Sequence, residues 1–267
     1  MVSMALARPA AIPALLAACA ALAACAAAPE LPPVQPYDAA TLAQTEYKAV
    51  LVAGDGSLPV WDNAVRDVAA RLGAHGGPSG ASVQRLSASP AVVAQDGVRS
   101  ATLDHVLDAV SAMRPGPGGG CLVFATSHGT PFQGLQLAAV GREILSPASL
   151  DRALARGCGN APTVVVVSGC FTGSFAQAPM ARANRVILTA SRPDRPSFGC
   201  GAGETYTYYD RCLMGALDAG GTWARVHEAA KQCVTELETR TRMKPSEPQA
   251  WFGPAVAGMT VPGRRAL

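Results

Sequence analysis

The sequence predicts an α/β fold, a three-layer α/β/α sandwich built around a mainly parallel sheet. Hydrophobic residues make up 49% of the 267-residue chain and charged residues only 15%, a balance that can bury a large core. Short apolar runs, typical of strands buried on both faces, alternate with segments in which apolar residues recur at helical spacing. This alternation indicates crossover connections and a sheet with helices on both faces.

The predicted strands are short apolar runs that end in small or polar residues. Residues 163–167 form the strongest of them, because four consecutive valines are both β-branched and apolar. The other predicted strands span residues 47–54, 82–86, 121–126, 185–191 and 249–253, and a hairpin is predicted over 135–145. Helices are predicted over residues 61–72, 102–113, 149–156, 206–219 and 223–239. No repeat or shift of composition marks a second domain.

The N-terminus has the pattern of a bacterial secretory signal. Arg8 precedes an Ala- and Leu-rich run that is too short for a transmembrane span, and small residues follow it. Leu22-Ala23-Ala24-Cys25 resembles the lipobox of bacterial lipoproteins, which implies cleavage before Cys25 and lipidation of its thiol. A second candidate at Cys19 leaves a shorter apolar run, so Cys25 is the preferred site.

These features predict how the chain is divided and where it resides. We expect a signal peptide over residues 1–24, a lipidated tether over 25–44, a folded domain over 45–257 and a C-terminal tail over 258–267. Ala26 is not Asp, so the signal that retains lipoproteins at the inner membrane is absent. The expected location is the bacterial cell envelope, anchored by lipid to the outer membrane and facing the periplasm.

Charge and cysteine spacing exclude several classes of function. The formal net charge is +3, and acids and bases are mixed along the chain without a basic block, so no nucleic-acid partner is expected. No CxxC pair exists, so no metal site is expected. An exported protein can form disulfides, however.

Six cysteines remain besides Cys19 and Cys25, and two pairs of them are candidates for disulfides. Cys121 and Cys158 each precede a predicted strand, so both are expected at the same edge of the sheet, and we predict that they are bonded. Cys212 and Cys233, on consecutive predicted helices, are a second candidate pair. The sequence assigns no role to Cys200.

Two of the predicted strands run into residues that can carry acyl-transfer chemistry. One is followed by Ser127-His128-Gly129 and the other by Ser168-Gly169-Cys170. The carboxyl ends of parallel strands meet at the edge of the sheet where ligands bind. A free thiol is only a few per cent thiolate at neutral pH, so an adjacent imidazole can activate it. We therefore predict His128 as base and Cys170 as nucleophile, with the N–H groups of Gly129 and Cys170 as an oxyanion hole.

Each of these residues also has a simpler interpretation. A cysteine after a valine run is usually a small core residue, and a single histidine beside a glycine is usually structural. Taken together, on matched strand ends with glycine neighbours, the two favour catalysis.

The motifs together resemble those of the legumain-type cysteine peptidases, family C13 of the caspase-like clan. Val52-Ala53-Gly54-Asp55-Gly56, residues 190–201 and Ser246-Glu247-Pro248-Gln249 resemble its bacterial lipoprotein branch, and the similarity spans about residues 47–253. The resemblance implies a caspase-like fold, a peptide or protein substrate and no cofactor. It also implies His128 as base, Cys170 as nucleophile, and Gly129 with Cys170 as oxyanion donors.

The chain departs from the legumain pattern at the residue that orients the histidine and in the specificity pocket. Legumains use an Asn in an Asn-x-Arg-His segment, where this chain has Trp61-Asp62-Asn63-Ala64, so Asp62 and Asn63 are both candidates. Ser168 replaces the legumain acid two positions before the nucleophile. A second pocket acid aligns with Glu204, and a pocket with this single acid could accept Asn, Lys or Arg.

Arg192 lies beyond the strand that ends at Ser191, on the same edge of the sheet as the predicted site. Together with Asp194 and Arg195, it either contacts the substrate or forms an ion pair within its loop.

The function predicted from the sequence is that of a monomeric, membrane-anchored cysteine endopeptidase. A transpeptidase that intercepts the same acyl-enzyme with an amine, as the related glycosylphosphatidylinositol transamidase does, is the enzymatic alternative. A non-catalytic envelope protein that uses the same fold for binding is the alternative from another class.

Overall fold

The structure is a computed structural model, and it describes residues 1–2, 33–75 and 82–262. Most of the predicted signal peptide, the predicted lipidation site at Cys25 and the last five residues lie outside these ranges. In the described ranges, no helix is long and apolar enough to cross a membrane.

The described chain alternates between strands and helices in the order that the sequence predicts. The strands are β1 (Glu46–Ala53), β2 (Ser82–Ser87), β3 (Arg99–Ser100), β4 (Gly119–Thr126), β5 (Gly129–Thr130), β6 (Gly134–Leu137), β7 (Glu143–Leu145), β8 (Thr163–Ser168), β9 (Arg185–Thr189) and β10 (Gln249–Phe252). The helices are α1 (Ala39–Ala43), α2 (Val60–His75), α3 (Pro90–Asp96), α4 (Leu103–Ser111), α5 (Pro147–Gly157), α6 (Tyr208–Ala219) and α7 (Trp223–Thr241), with a 3₁₀ turn over Thr172–Ala176.

Seven of these strands form the central sheet, in the order β10-β9-β8-β4-β1-β2-β3. Every neighbouring pair is parallel except β9 and β10, which are antiparallel. Strands β5, β6 and β7 form a separate antiparallel sheet of three strands, which includes the predicted hairpin. The mainly parallel sheet is confirmed.

Alternate residues of the central strands point to opposite faces, and each face is covered by helices. Leu51, Phe124 and Val166 pack in one cluster with α2, α6 and α7. Val52 and Val165 pack in a second cluster with α4, α5 and the small sheet. Strands that are buried on both faces need uninterrupted apolar runs, which is why the valines of β8 were such a strong signal. The three-layer sandwich is confirmed.

The packed part of the chain extends past the predicted limits of 45 and 257. The Tyr37 N–H donates to the Ala255 carbonyl at 3.0 Å, and Leu42 in α1 is buried. At the other end, Met259 and Val261 are buried in the same core. Residues 37–43 and 258–261 therefore belong to the fold rather than to a tether and a tail, because they place apolar side chains in its core.

The two predicted cysteine pairs are bonded. Cys121 and Cys158 have a Cα–Cα distance of 6.2 Å, and Cys212 and Cys233 a distance of 5.6 Å. Among the described residues, Cys170 and Cys200 are the free cysteines.

Candidate active site

The register of β4 and β8 brings the two predicted motifs together. Thr126 at the end of β4 pairs with Ser168 at the end of β8, and the Ser127 N–H donates to the Ser168 carbonyl at 3.0 Å. His128 and Cys170 each follow two residues after this matched pair. The valine-rich pattern that builds the strands therefore also places both residues at one edge of the sheet.

Two glycines allow the chains that follow β4 and β8 to touch. A Cβ on Gly129 would lie 1.7 Å from the carbonyl oxygen of Cys170, and one on Gly169 would lie 2.6 Å from the carbonyl oxygen of Ser127. Neither position has room for a side chain, so glycine is required by the close approach of two backbones. The Gly129 N–H also faces the Cys170 sulfur and lowers the pKa of its thiol.

Cys170 is half-buried, and its sulfur contacts a neighbouring backbone segment. The Ser197 N–H donates to Cys170 Sγ at 3.2 Å, and the thiol donates to the Ser197 carbonyl at 3.4 Å. Burial raises the pKa of the thiol above its ordinary value, and the nearby Cys200 raises it further, while the Ser197 N–H lowers it. At neutral pH the resting group is therefore a thiol, and a base must remove its proton before it can attack. Ser197 was not identified from the sequence, because nothing in a loop sequence shows which amide will meet a distant sulfur.

The His128 ring is held by an aromatic neighbour from α2. The Trp61 and His128 rings meet edge to face, with centroids 4.8 Å apart. Trp61 is buried, so the contact is part of the core and fixes one side of the imidazole. Trp61 is the first residue of the segment predicted to orient the histidine, but the sequence does not assign it to the site. The pattern gave no reason to prefer it, because a buried tryptophan is usually a packing residue.

The two predicted orienting residues have polar partners elsewhere. Asn63 Nδ2 donates to the Thr205 carbonyl at 3.1 Å. Asp62 is buried, which raises the pKa of its carboxyl, while a hydrogen bond with Ser87 lowers it. Both residues lie beside Trp61 in α2, but the interactions described for their side chains involve groups other than His128. Their orienting role stays a prediction.

A buried acid lies beneath the ends of β4 and β8. Asp210 in α6 is fully buried and accepts a hydrogen bond from Thr126 Oγ1 at 2.7 Å. Burial raises the pKa of its carboxyl to about 6, and the hydroxyls of Ser168, Thr126 and Thr207 partly offset the rise. Ser168, predicted as a pocket residue, is itself buried, and its hydroxyl is near enough to lower the pKa of this carboxyl. Asp210 was missed because an acid three residues after Thr207, the N-cap of α6, has the pattern of a helix start.

The other predicted pocket residues are engaged in ion pairs. Glu204 Oε2 and Arg211 Nη2 lie 2.6 Å apart, so the charge of Glu204 is offset. Arg192 binds Asp194 through two contacts of 2.9 Å and also pairs with Glu247 at 3.2 Å. The loop ion pair that the sequence left open is therefore present, and substrate contact by Arg192 stays a prediction. Among the residues that the structure describes, no group of three or more His, Cys, Asp or Glu side chains could hold a metal ion.

Comparison with known proteins points to one family and one fold. A sequence model described as the peptidase C13 family matches residues 105–253, which include His128 and Cys170. Among solved structures, the structure of pro-sf-caspase-1 is similar, with a TM-score of 0.53 and 13% sequence identity, covering 79% of this chain and 92% of that one. No curated protein matches this chain by sequence. At this identity the structural likeness shows the fold, which is a caspase-like α/β/α sandwich.

Proposed function

Since the chain belongs to the peptidase C13 family, we propose that it is a cysteine endopeptidase with Cys170 as nucleophile and His128 as base. The family and the caspase-like fold support a cysteine peptidase. The observation that carries the choice of residues is the meeting of the two strand ends, where Gly129 touches the backbone of Cys170. No other described pair of a histidine and a free cysteine follows adjacent, in-register strands.

The proposed reaction is acyl transfer followed by hydrolysis. His128 removes the thiol proton as Cys170 Sγ attacks the peptide carbonyl, and the electron pair of the C=O bond moves to the oxygen. The N–H groups of Gly129 and Cys170 stabilise this oxyanion. The C–N bond then breaks, the proton passes from His128 to the leaving amine, and water activated by His128 hydrolyses the thioester.

The environment of the thiol favours general-base catalysis over a preformed ion pair. Burial holds the pKa of Cys170 above its ordinary value, so the proton stays on sulfur until the substrate is bound. The base then acts during the attack, which makes the rate depend strongly on His128.

The ion pair between Glu204 and Arg211 is expected to influence which residue is accepted before the cleaved bond. We propose that Glu204 and Arg192 contribute to the pocket for the residue before the cleaved bond, whereas Ser168 is buried. Because Arg211 offsets the charge of Glu204, this pocket favours neutral Asn over Lys or Arg. Cleavage of peptides that differ only in this residue tests the choice, and faster cleavage after Lys or Arg would contradict it.

Labelling of the two free thiols tests the assignment of the nucleophile. Iodoacetamide is added to residues 33–267, and adducts on Cys170 and Cys200 are quantified by mass spectrometry. Because His128 takes the thiol proton as Cys170 attacks, an active site labels Cys170 faster than Cys200 despite the raised pKa of Cys170, and His128→Ala removes this advantage. His105→Ala is the matched control, because His105 lies in α4 with its ring on the Ser100 carbonyl. Equal labelling of Cys170 and Cys200 in the wild type would contradict the proposal.

The same protein separates hydrolysis from transpeptidation. An amine such as glycinamide is added to the protein and a peptide that it cleaves, and the products are identified by mass spectrometry. Free acid as the main product supports the endopeptidase, whereas an amide-linked product would favour the transpeptidase.

We also propose that the protein is an exported lipoprotein anchored through Cys25 to the outer membrane. The lipobox-like segment supports this location, and so do the two disulfides, since disulfides form in the periplasm. Membrane fractionation of cells that express the wild type and Cys25→Ala tests it. Equal recovery of both proteins in the membrane fraction would contradict the anchor.

A further inference from the structure

Residues 191–197, which we name the rim segment, are joined to the nucleophile loop at several points. The Phe171 N–H donates to the Arg195 carbonyl at 2.8 Å, and the Ser197 N–H donates to Cys170 Sγ at 3.2 Å. The Ser191 hydroxyl donates to the Gly169 carbonyl at 3.1 Å. The position of the rim segment therefore determines where the Ser197 amide lies relative to the Cys170 sulfur.

The rim segment is joined on its other side to residues 245–247, which we name the anchor segment. The Arg192 N–H donates to the Ser246 carbonyl at 2.9 Å. Arg195 Nη1 donates to the Pro245 carbonyl at 3.0 Å. The anchor segment is fixed in turn by α7, because the Ser246 N–H lies 3.1 Å from both carboxylate oxygens of the buried Glu238.

Glu247 connects the anchor segment to both arginines of the rim segment. Its carboxylate oxygens lie 3.2 Å from Arg192 Nη1 and 3.3 Å from Arg195 Nη2. The three side chains are 31–41% exposed, and exposed ion pairs contribute little to stability. The need for a stable fold therefore does not account for this bridge.

The backbone of Glu247 supports a functional reason for the bridge. Its φ is +54°, in the left-handed region that non-glycine residues seldom adopt. Phe171, which follows the nucleophile, has a φ of +60°. The two strained residues lie on opposite sides of the rim segment, and each contacts it. Such a backbone conformation is also found at Arg114, Phe132 and Arg242, but at Phe171 and Glu247 it coincides with contacts to the rim segment that the surrounding structure must maintain.

We propose that Glu247 is a positioning residue for the nucleophile, holding the rim segment through Arg192 and Arg195 so that the Ser197 amide meets the sulfur of Cys170. This inference rests on the proposed function, and it assigns a role to the Ser246-Glu247-Pro248-Gln249 motif. The amide stabilises the thiolate more than the thiol, because a hydrogen bond to a charged acceptor is stronger. A loosened rim segment therefore leaves less thiolate at a given pH.

The negative charge of Glu247 and its positioning role have opposite expected effects on the pKa of the Cys170 thiol, so an experiment can separate them. Cys200 acts on the Cys170 thiol directly. The other titratable or charged groups on the elements that pack around the loop are His128, which follows β4, and Arg192, Asp194, Arg195 and Glu247, which form ion pairs within the rim and anchor segments. If Glu247 acted only as a negative charge, its removal would lower the pKa of the thiol. If Glu247 positions the amide, its removal raises that pKa.

The test is the pH profile of Cys170 alkylation in Glu247→Gln. Iodoacetamide rates at Cys170 and Cys200 are measured by peptide mapping from acid to alkaline pH. We expect the Cys170 profile to move to higher pH and the rate near neutral pH to fall by about threefold to tenfold, the order of one ordinary hydrogen bond, because the amide is displaced rather than removed. Glu247→Asp restores part of the rate. Glu236→Gln, on the exposed face of α7, is the matched control and leaves the profile unchanged.

Two outcomes overturn the inference: a Glu247→Gln profile that coincides with the wild type, or one that moves to lower pH. If Glu247→Gln does not fold, high salt takes its place, because salt screens exposed ion pairs and is expected to move the wild-type profile in the same direction. Alkylation does not require peptide cleavage. A protein that cleaves no peptide but shows the shift would therefore refute the endopeptidase and leave this inference standing.

Discussion

The two ends of the central strands differ in how their polar groups are satisfied. At the amino ends of β4 and β8, Cys121 and Cys158 are bonded to each other. At the start of β9, the buried Arg185 and the more exposed Arg182 both bind Asp151 at 2.7 Å. At the carboxyl ends, Cys170 remains a free thiol, and the described residues provide hydroxyl partners but no cationic partner for the buried Asp210.

The pKa values of the groups at the two ends are shifted in opposite ways. Burial raises the pKa of Asp151, but hydrogen bonds from Arg182 and Arg185 outweigh it and hold the pKa below its ordinary value. The pKa values of Cys170 and Asp210 are raised, because burial outweighs the hydrogen bonds that stabilise their charged forms. The ion pairs and the disulfide at the amino end favour stability, whereas the carboxyl end holds groups with raised pKa values, which are typical of functional sites.

The largest expected effect is on catalysis at the carboxyl end. We expect His128→Ala to lower the rate of peptide hydrolysis by roughly 10²–10⁴-fold, the usual contribution of a general base. Stability changes little, because His128 is only half-buried. Hydrolysis of a fluorogenic peptide, with urea unfolding as the check on folding, measures both. A variant that is stable and fully active would remove His128 from the mechanism.

The second effect is on stability at the amino end. Asp151→Ala leaves Arg185 buried without a partner, so we expect the free energy of unfolding to fall by about 3–5 kcal/mol. The control Asp218→Ala, which breaks an exposed pair with Arg71, costs less than about 1 kcal/mol. Urea unfolding measures both variants. Similar losses in the two variants would contradict the stabilising role of the amino end.

A smaller expected effect is the contribution of Asp210 to the pH dependence of the free energy of unfolding. Its folded-state pKa of about 6 lies above its ordinary value of 3.8, so its contribution favours folding at low pH and is lost as the pH rises from about 4 through 6. Asp210→Asn removes this loss and is expected to be more stable than the wild type at pH 7, by up to about 3 kcal/mol.

The difference between the two proteins is expected to vanish near pH 4, where Asp210 is protonated in the folded protein. Unfolding curves at pH 4 and pH 7 provide the measurement. If the free energies of unfolding of the wild type and Asp210→Asn changed in parallel with pH, burial would not raise the pKa of the Asp210 carboxyl.

The sequence predicted the elements that have a strong periodic signal. Strands β4 and β8 were predicted because burial on both faces demands continuous apolar runs, and their matched ends placed His128 beside Cys170 on the same edge. The short helix α3 was missed because none of its residues is buried, so it leaves no apolar periodicity. Residues 37–43 were assigned to a tether because one buried leucine is too little to reveal packing.

Contacts between distant positions of the chain could not be predicted in the same way. Trp61 beside His128, Asp210 beneath Ser168 and Ser197 on the sulfur each depend on where separate elements meet. None of these contacts leaves a periodic pattern in one sequence. Motif order and strand ends therefore indicated the reacting pair, whereas its supporting groups required the structure.

Direct detection of the acyl-enzyme tests the central claim that Cys170 is the nucleophile activated by His128. A peptide ester is mixed with the protein, the reaction is quenched in acid, and the adduct is mapped by mass spectrometry. The account predicts a hydroxylamine-sensitive acyl group on Cys170 that does not form in His128→Ala. An acyl group on Cys200, or no adduct on the folded wild-type protein while the peptide is consumed, would contradict it.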